Sequence, residues 1–284
     1  GDTYYVRVGS SGSCAGTSYD VNFEFMGAIT GCMDILACNY QPLAGNPGPC
    51  YYNGDPNCTG LGPDLFMDQA SMFSSLTSTT ITNGDACLVN EGCLQSNVGT
   101  RQILRFTTRI ANIGTQDYFI GVPSAANSQF TFDPCHNHYH YAGYAEYLLF
   151  DANGALMPNI GFKNGFCVLD LSCPSGIPAQ YSCGNMGITA GCADIYSSSL
   201  TCQWIDITNV PAGTYYLVIR TNWDQDPDQN GRYELRYDNN YAQVCISFGR
   251  DASNNIINFT KTITNCAAIE DCLGIPFGDA QVDC

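Results

Sequence analysis

The sequence predicts a mainly β protein, in which an antiparallel β-sandwich domain with long disulfide-stapled loops is flanked by small cysteine-rich β modules. Three observations predict this fold class. Short segments of alternating apolar and polar residues are divided by turn signals, helical periodicity is nearly absent, and 17 of the 284 residues are cysteine. Because disulfides persist only in an oxidising compartment, the cysteines also predict a secreted, extracellular or cell-surface protein.

The first part of the chain divides into two small units. Residues 1–29 contain two alternating strands, 3–8 and 19–25, which indicate the end of a preceding β-domain. Residues 30–60 are too rich in Gly, Pro and Cys to build a core of their own, and they indicate a small stapled module.

Residues 61–266 are predicted to form the main domain. Its strands are expected at 102–110, 139–150, 213–221 and 242–248, with one helical turn near 68–76. A Pro-Ala-Gly turn that feeds an apolar strand at 210–220 is typical of an antiparallel sandwich. No run of 18 or more apolar residues occurs, so no membrane span is expected.

The net charge of -16 arises from 26 acidic and 10 basic residues. This balance disfavours nucleic acid and anionic membranes as partners and favours encounter with basic molecules. Solubility or calcium loading of a secreted surface explains the charge equally well. Lysine occurs only at Lys163 and Lys261, so a lysine within a motif carries weight.

All three histidines lie in one five-residue window. Alternate residues of an extended strand share a face, so we expect His136, His138 and His140 to present three imidazoles in a row as metal ligands. Three neutral nitrogen donors suit zinc, copper, iron or nickel, and copper leads the affinity order. Copper or zinc is therefore expected. The alternative is that the three rings are ordinary strand residues.

Four motifs occur in order between residues 63 and 266. They are Cys-His-x-His-Tyr-His at 135–140, Gly-x-Lys-x-x-Phe-Cys at 161–167, Gly-Cys-x-Asp-x-Tyr at 191–196 followed by Cys-Gln-Trp-Ile-Asp-Ile-Thr at 202–208, and Tyr-x-Asn-Asn at 237–240. Together they resemble the catalytic domain of the lysyl oxidases. The resemblance implies that copper on the three histidines drives oxidation of Tyr196, which Lys163 then attacks to give a lysine tyrosylquinone.

The implied activity is oxidation of primary amines by dioxygen, which gives an aldehyde, ammonia and hydrogen peroxide. The expected substrate is the ε-amino group of lysine in a lysine-rich protein, or a small primary amine, and cross-linking of extracellular proteins is the expected result. Taken singly, Tyr196 suits a packed ring and Lys163 a solvated loop residue; only the joint motif indicates catalysis. The acid–base residue stays open between Asp170 and Asp194, and either also suits a turn or a helix cap.

The same resemblance implies a disulfide pattern that holds these segments in place. The implied pairs are Cys87–Cys93, Cys135–Cys183, Cys167–Cys173, Cys192–Cys202 and Cys245–Cys266. Seven cysteines are then left without an assigned partner, namely Cys14, Cys32, Cys38, Cys50, Cys58, Cys272 and Cys284.

The resemblance further implies a calcium site that ties the start of the domain to a late loop. Its oxygen donors are Asp64, the backbone carbonyl of Leu65, Glu234, Asn239 and Asn240, as a hard cation requires. Arg236 stands where an acid is expected, which weakens the site unless Asp238 substitutes. A plain Asx-rich turn is the alternative. A second departure is Phe162, which precedes the lysine where animal enzymes carry histidine.

Two short cysteine-rich segments indicate the wider context. Residues 31–50 and 271–284 resemble modules of large secreted bacterial surface proteins, so 267–284 is expected to begin a C-terminal repeat, with neighbouring modules as partners. Two rival functions stay open. One is a non-catalytic metal-binding structural or adhesin module, and the other is a zinc hydrolase in which the imidazoles leave an open water position.

Overall fold

The computed structural model describes residues 29–32, 44–51, 61–127, 129–135, 137–157, 161–162 and 167–268. This part of the chain is mainly β, with antiparallel sheets and two short helices, α1 (Gln69–Ser75) and α2 (Ala86–Asn90). In chain order the strands are β1 (Ile29–Gly31), β2 (Ala44–Pro47), β3 (Leu65–Met67), β4 (Thr77–Thr82), β5 (Thr100–Arg105), β6 (Thr108–Asn112), β7 (Tyr118–Gly121), β8 (Phe130–Asp133), β9 (His138–Tyr141), β10 (Ala145–Asp151), β11 (Gly161–Phe162), β12 (Met186–Ile188), β13 (Ala193–Tyr196), β14 (Trp204–Asp206), β15 (Gly213–Thr221), β16 (Tyr241–Arg250) and β17 (Ile256–Thr262).

The principal sheet is antiparallel, with the order β10-β15-β16-β17. The centre of β15 is a run of apolar, largely β-branched residues, which suits a strand that is covered on both faces. Leu217 and Ile219 belong to the main core, whereas Val218 between them belongs to a separate apolar cluster. The principal sheet is therefore a layer with apolar packing on both sides.

The other antiparallel sheets have the orders β11-β14-β5-β4 and β13-β6-β3, with two-stranded pairs β12-β7 and β8-β9. The main core combines residues of the principal sheet with residues of β3, β6, β7 and β12, such as Leu65 and Ile110. A parallel pair, β1 and β2, lies beside the Cys32–Cys50 disulfide.

Helix α1 is held at both ends by side chains. Asp68 is its N-cap, and the carboxylate accepts a hydrogen bond of 3.1 Å from the backbone N–H of Ser71. At the other end Lys261, from β17, donates to the carbonyl oxygens of Phe73 at 2.5 Å and Leu76 at 2.8 Å. A cation is favourable at a helix C-terminus. These bonds tie the helix to the principal sheet.

The predicted strands agree with the structure where the chain stays in one sheet. The strand predicted at 213–221 is β15, that at 242–248 lies within β16, and the helical turn near 68–76 is α1. The strand predicted at 102–110 is instead two strands, because β5 pairs with β4 and β14 while β6 pairs with β3 and β13. The strand predicted at 139–150 divides into β9 and β10 for the same reason, since they pair in different sheets.

The structure corrects four of the five implied disulfides. The pairs in the described part of the chain are Cys32–Cys50, Cys87–Cys135, Cys93–Cys202, Cys167–Cys183, Cys173–Cys192 and Cys245–Cys266. Only the Cys245–Cys266 pairing is confirmed. The pairings Cys87–Cys93, Cys135–Cys183, Cys167–Cys173 and Cys192–Cys202 are wrong.

The physical reason is that Cys87 lies in the first turn of helix α2 whereas Cys93 follows the helix, so the two side chains have different neighbours. Cys93 packs in a small apolar cluster with Cys202 and Trp204. Cys87 instead reaches Cys135, which lies 48 residues further along the chain. The six disulfides fit an oxidising compartment.

Several predictions fall outside this part of the chain. The strands predicted at 3–8 and 19–25 and the repeat at 271–284 lie outside the described residues, and so do residues 33–43 and 52–60 of the stapled module. The proposed boundaries near residues 29, 60 and 266 therefore stay predictions. Among the described helices, none has the length and apolar character needed to cross a membrane.

Candidate metal centre and tyrosine site

Two imidazoles face each other on the hairpin formed by β8 and β9. The Nε2 atoms of His138 and His140 are 3.2 Å apart, and their rings meet edge to face with centroids 4.9 Å apart. Two nitrogen ligands at about 2.0–2.1 Å from a tetrahedral metal lie about 3.4 Å from each other. Neutral imidazoles at this separation either share one N–H···N hydrogen bond or hold one cation between them. The pair therefore fits a metal centre.

A buried carboxylate lies next to the other ring nitrogen of His140. The Oδ2 atom of Asp133 lies 3.4 Å from Nδ1 of His140, on the side of the ring away from His138. A carboxylate at the second nitrogen is the usual support of a metal-bound histidine, because it fixes the tautomer and the ring orientation. Sequence reasoning missed Asp133. The signal was the alternating segment 130–133, which pairs with β9 as a hairpin.

The structure describes two of the three imidazoles that were expected to form a row, those of His138 and His140. The extended strand begins at His138, and Asn137 before it has a left-handed φ of 55°. Alternation along a strand therefore does not extend back through Asn137. His136 lies outside the described residues, so its role as a ligand stays a prediction. The neighbouring Cys135 is fixed to helix α2 by the disulfide with Cys87.

Tyr196 lies at the end of β13, packed against the main core. Part of the ring surface reaches solvent, whereas its hydroxyl donates a 2.5 Å hydrogen bond to the carbonyl oxygen of Cys167. The pKa of Tyr196 is raised well above its ordinary value, first because burial disfavours the phenolate and second because the carboxylate of Asp194 is near. The resting residue is therefore a neutral phenol.

Tyr144 connects the histidine segment to Tyr196. It follows His140 by four residues, in the turn between β9 and β10, and its side chain is fully buried. Its pKa is raised well above the ordinary value, mainly by burial and then by the nearby acidic groups of Asp194 and Tyr196. Tyr144 is part of the main core against which Tyr196 packs, so the turn after β9 and the end of β13 contact the same core.

Lys163 lies outside the described residues, and so its approach to Tyr196 stays a prediction. The two residues before it form β11, in which Gly161 pairs with Asp206 and Phe162 with Ile205. Four residues after Lys163, Cys167 forms the disulfide with Cys183 and accepts the hydrogen bond from Tyr196. The segment around Lys163 is thus attached on one side to a sheet and on the other to the Tyr196 site.

A cavity of about 360 Å³ opens beside His140. Its lining includes the acidic side chains of Glu91 and Asp133 and the half-exposed ring of Phe132. A small cation that approached the imidazole pair would meet carboxylates on the way. The cavity therefore suits a positively charged ligand better than an anion.

Three other groups of acidic and sulfur side chains do not offer a metal site. Two combine a carboxylate with the paired sulfur atoms of Cys93–Cys202 or Cys173–Cys192, and the third combines Glu91 and Asp133 with Cys135. In each group the cysteines are already joined in disulfides. A disulfide sulfur lacks the thiolate charge that a metal ligand needs.

All five residues of the predicted calcium site meet at one buried place. The carboxylate of Glu234 accepts hydrogen bonds from the backbone N–H of Leu65 at 2.6 Å and from the amide of Asn240 at 2.9 Å. The amide of Asn239 donates to Asp64 at 2.7 Å. Gly114 permits this arrangement, because a side chain there would meet the backbone of residues 62–64 at 2.5–2.6 Å.

The chemistry of this cluster fits a bound cation. Burial raises the pKa of Asp64 to about 7 and that of Glu234 to about 8. The amide oxygens of Asn239 and Asn240 are buried and accept no hydrogen bond from the described residues. Unsatisfied buried oxygens are costly, and an oxygen-seeking cation would satisfy them. A plain Asx-rich turn does not require such burial.

At this loop Arg236, which stands where an acid was expected, is bonded to Asp238, the residue that could have substituted for that acid. Arg236 binds Asp238 through two hydrogen bonds, of 2.8 Å and 3.0 Å. Asp238 is therefore engaged by Arg236 and does not take the place of the missing acid. Leu65 contacts the cluster through its backbone N–H in the bond to Glu234.

The fold and these sites define a disulfide-stapled, mainly antiparallel β protein with a pair of histidines that fits a metal centre. Comparison with models of protein families matches residues 63–266 to the family described as lysyl oxidase. The chain belongs to the lysyl oxidase family. This confirms the resemblance on which the four motifs were interpreted.

Similar proteins from animals support the assignment. The chain is 31% identical to lysyl oxidase homolog 4 of Mus musculus over 207 residues, which cover 68% of this chain and 27% of that protein. It is 38% identical to lysyl oxidase homolog 3B of Danio rerio, over 49% of this chain and 18% of that protein. It is 34% identical to protein-lysine 6-oxidase of Gallus gallus, over 57% of this chain and 40% of that protein. The chain thus spans less than half the length of these relatives.

Proposed function

We propose that this protein is a secreted, copper-dependent amine oxidase that converts primary amines to aldehydes. The observation that carries the proposal is the facing pair of imidazoles, His138 and His140, with Asp133 at the rear of His140 in a domain of the lysyl oxidase family. Three neutral nitrogen donors suit copper, which binds such sites more tightly than the other common divalent metals.

The chain's own residues hold and orient the reacting groups. His136, His138 and His140 would hold the copper, and Lys163 and Tyr196 would form the lysine tyrosylquinone. Together these groups would supply redox chemistry and an electrophilic carbonyl that reacts with a primary amine. Asp133 lies at the second ring nitrogen of His140 and would orient this ring once a metal is bound, while the carbonyl of Cys167 accepts the hydrogen bond of the Tyr196 hydroxyl.

The proposed substrate is the ε-amino group of lysine in a lysine-rich protein, or a small primary amine, with dioxygen as oxidant. Ammonia and hydrogen peroxide are the other products, and cross-linking of extracellular or surface proteins is the proposed result. The net charge of -16 and the carboxylates that line the cavity beside His140 favour positively charged amines. Protein-lysine 6-oxidase of Gallus gallus has a name that describes this activity.

Calcium is proposed as a second, structural ion. Asp64, Leu65, Glu234, Asn239 and Asn240 would hold it at the place where β3 meets the loop before β16. Its binding would satisfy two buried amide oxygens and offset the burial of two carboxylates. The ion would then join the start of the domain to its end.

The proposed setting is a longer bacterial surface protein. Residues 1–29 would end a preceding β-domain, residues 30–60 would form a cysteine-rich module, and residues 267–284 would begin another repeat. The catalytic domain, residues 61–266, would then act at the cell surface beside these neighbouring modules. The six disulfides suit this location.

The function is tested on purified protein that has been stripped of metal and then supplied with copper in air. We expect hydrogen peroxide on addition of a lysine-containing peptide, a positive quinone stain, and a peptide mass that joins Lys163 to Tyr196. The variant Tyr196→Phe should lose all three signals while it still binds copper. The matched control Tyr233→Phe, at an exposed ring, should keep them.

Other outcomes would overturn the proposal in distinct ways. Tight copper binding without quinone or peroxide would favour a structural or adhesin module. A centre that retains zinc in the presence of excess copper and hydrolyses a substrate would favour the zinc hydrolase.

A further inference from the structure

Asp194 is a fully buried acid on the same strand as Tyr196. It lies two positions earlier in β13, so the two side chains point to the same face of that strand. Within the described part of the chain, Asp194 is the acid that raises the pKa of the Tyr196 phenol most. The hydroxyl of Tyr144 faces the same carboxylate from the turn after β9.

The carboxylate of Asp194 is poorly satisfied for a group with no exposed surface. Its nearest donors are the Tyr144 hydroxyl and the backbone N–H groups of Leu169 and Ile195. Among the described residues, however, neither carboxylate oxygen has a hydrogen-bond partner of good geometry. A buried acid of this kind costs stability, so a functional reason for it is worth seeking.

Asp170, the other candidate acid, has a structural role. Its carboxylate accepts four hydrogen bonds, from the backbone N–H of Gln180 at 2.8 Å, Tyr181 at 3.2 Å and Thr189 at 2.9 Å, and from the Thr189 hydroxyl at 2.6 Å. These four bonds engage both carboxylate oxygens and hold the residue in its loop. Asp170 therefore anchors a loop, and Asp194 is left as the available acid.

We propose that Asp194 is the base that accepts the phenol proton of Tyr196 when Tyr196 is converted to the lysine tyrosylquinone. This inference rests on the function proposed above. The proton moves from the Tyr196 hydroxyl to a carboxylate oxygen of Asp194. The reactants are a neutral phenol and a carboxylate, and the products are a phenolate and a neutral carboxylic acid. The pair carries one negative charge before and after the step. Copper held by the histidines, together with dioxygen, would supply the oxidation that follows.

The surroundings make Asp194 suitable for this task. The hydroxyl of Tyr196 donates to a neutral carbonyl, which cannot take its proton, so a separate acceptor is needed. Burial raises the pKa of Asp194 well above its ordinary value, which makes its carboxylate a stronger base than a solvated one. A base with a raised pKa is better matched to a phenol, whose own proton is weakly acidic.

The first test compares the rate of quinone formation in wild type, Asp194→Asn and Asp170→Asn after copper is added in air. Quinone absorbance and the mass of the peptide joining Lys163 to Tyr196 are the two readouts. Asp194→Asn keeps the shape but cannot take a proton, so conversion should slow by about 100-fold or more with copper still bound. Asp170→Asn should unfold at a lower temperature, while its folded fraction converts at the wild-type rate. Conversion of Asp194→Asn within about threefold of wild type would overturn the inference.

The second test needs neither metal nor quinone. The pKa of Asp194 is raised in the folded state, so folding favours the protonated acid and stability is lost as pH rises above the unfolded value of 3.8. The unfolding temperature of Asp194→Asn relative to wild type should therefore increase with pH. Among the described residues, the titratable groups near Asp194 are the hydroxyls of Tyr144, Tyr147 and Tyr196 and the carboxylate of Asp170. A constant difference between the two proteins would contradict the proposal.

The two proposals fail in different ways. If wild type with copper and oxygen never forms the quinone, both the oxidase function and this role of Asp194 are wrong. If wild type forms it and Asp194→Asn forms it equally fast, only the role of Asp194 is wrong. In wild type the rate of quinone formation should also rise with pH as Asp194 ionises. The Asp194→Asn variant should lack this rise.

Discussion

At the scale of single residues, Arg236 is the clearest difference from the expected calcium loop. Its guanidinium binds Asp238, and its charge acts on Asp64. Replacing Arg236 with Asp removes a cation from the site and adds an oxygen donor. We expect the calcium dissociation constant to fall by about tenfold, which corresponds to about 1.4 kcal/mol.

Titration calorimetry on Arg236→Asp and wild type measures this change. The control Glu234→Gln should bind calcium more weakly than wild type, because it removes a buried charge at the centre of the cluster. Equal affinities for all three proteins would mean that calcium does not bind at this loop.

Site residues that follow a local sequence pattern could be predicted from the sequence. Site residues that depend on tertiary contacts could not. The alternation of His138 and His140 is a local property of a strand, and the structure shows it. Asp133 reaches His140 through the pairing of β8 with β9, and its sequence signal was the alternating segment 130–133. Tyr144 is placed by the turn after β9, which no sequence pattern indicated. The separate roles of Asp170 and Asp194 depend on hydrogen-bond donors that come from other segments.

At the scale of elements, the disulfide between Cys87 and Cys135 holds the histidine hairpin to helix α2. Replacing both cysteines with Ser should lower the free energy of unfolding by about 4 kcal/mol in the chain-entropy model, because the bridge closes a loop of 48 residues. Copper affinity should also fall, since Cys135 precedes the ligand segment directly.

The matched control replaces Cys245 and Cys266 with Ser. This bridge closes a loop of 21 residues and joins β16 to the segment after β17, and neither of its cysteines belongs to the histidine hairpin. Its removal should cost about 3 kcal/mol and leave copper binding unchanged. Denaturant unfolding and copper titration of both variants measure the two effects. A loss of copper affinity in both would show that it reflects general destabilisation.

The elements also show what a single sequence can and cannot predict. Strand β15 could be located because its apolar run is bounded by a turn on one side and by polar residues on the other. The short strands β7, β8 and β12 to β14 could not, because each has only three or four residues and is defined by its partner strand. The disulfide pairing failed for a related reason, since neighbours in sequence are not neighbours in space.

At the scale of the whole molecule, the negative charge should control which amines are oxidised fastest. With a net charge of -16, attraction of a lysine-rich peptide is long-ranged and is screened by salt. We expect kcat/KM for such a peptide to fall by about tenfold between about 20 mM and 300 mM salt. A small monoamine should change much less.

Initial rates of peroxide release for the two substrates across the salt series measure this effect. Because both substrates are followed on the same enzyme, a general effect of salt on activity would appear in both. Equal salt dependence for peptide and monoamine would show that the overall charge does not select the substrate.

The helix-end position of Lys261 bears on how this protein can be handled at the bench. The chain has two lysines, and the amine of Lys261 is bonded to carbonyl oxygens at the end of α1. A fluorescent dye or a chip surface that couples to Lys261 would remove the donor from the carbonyl oxygens at the C-terminal end of α1 and loosen the helix from the principal sheet. Attachment through exposed carboxylates is therefore the safer choice.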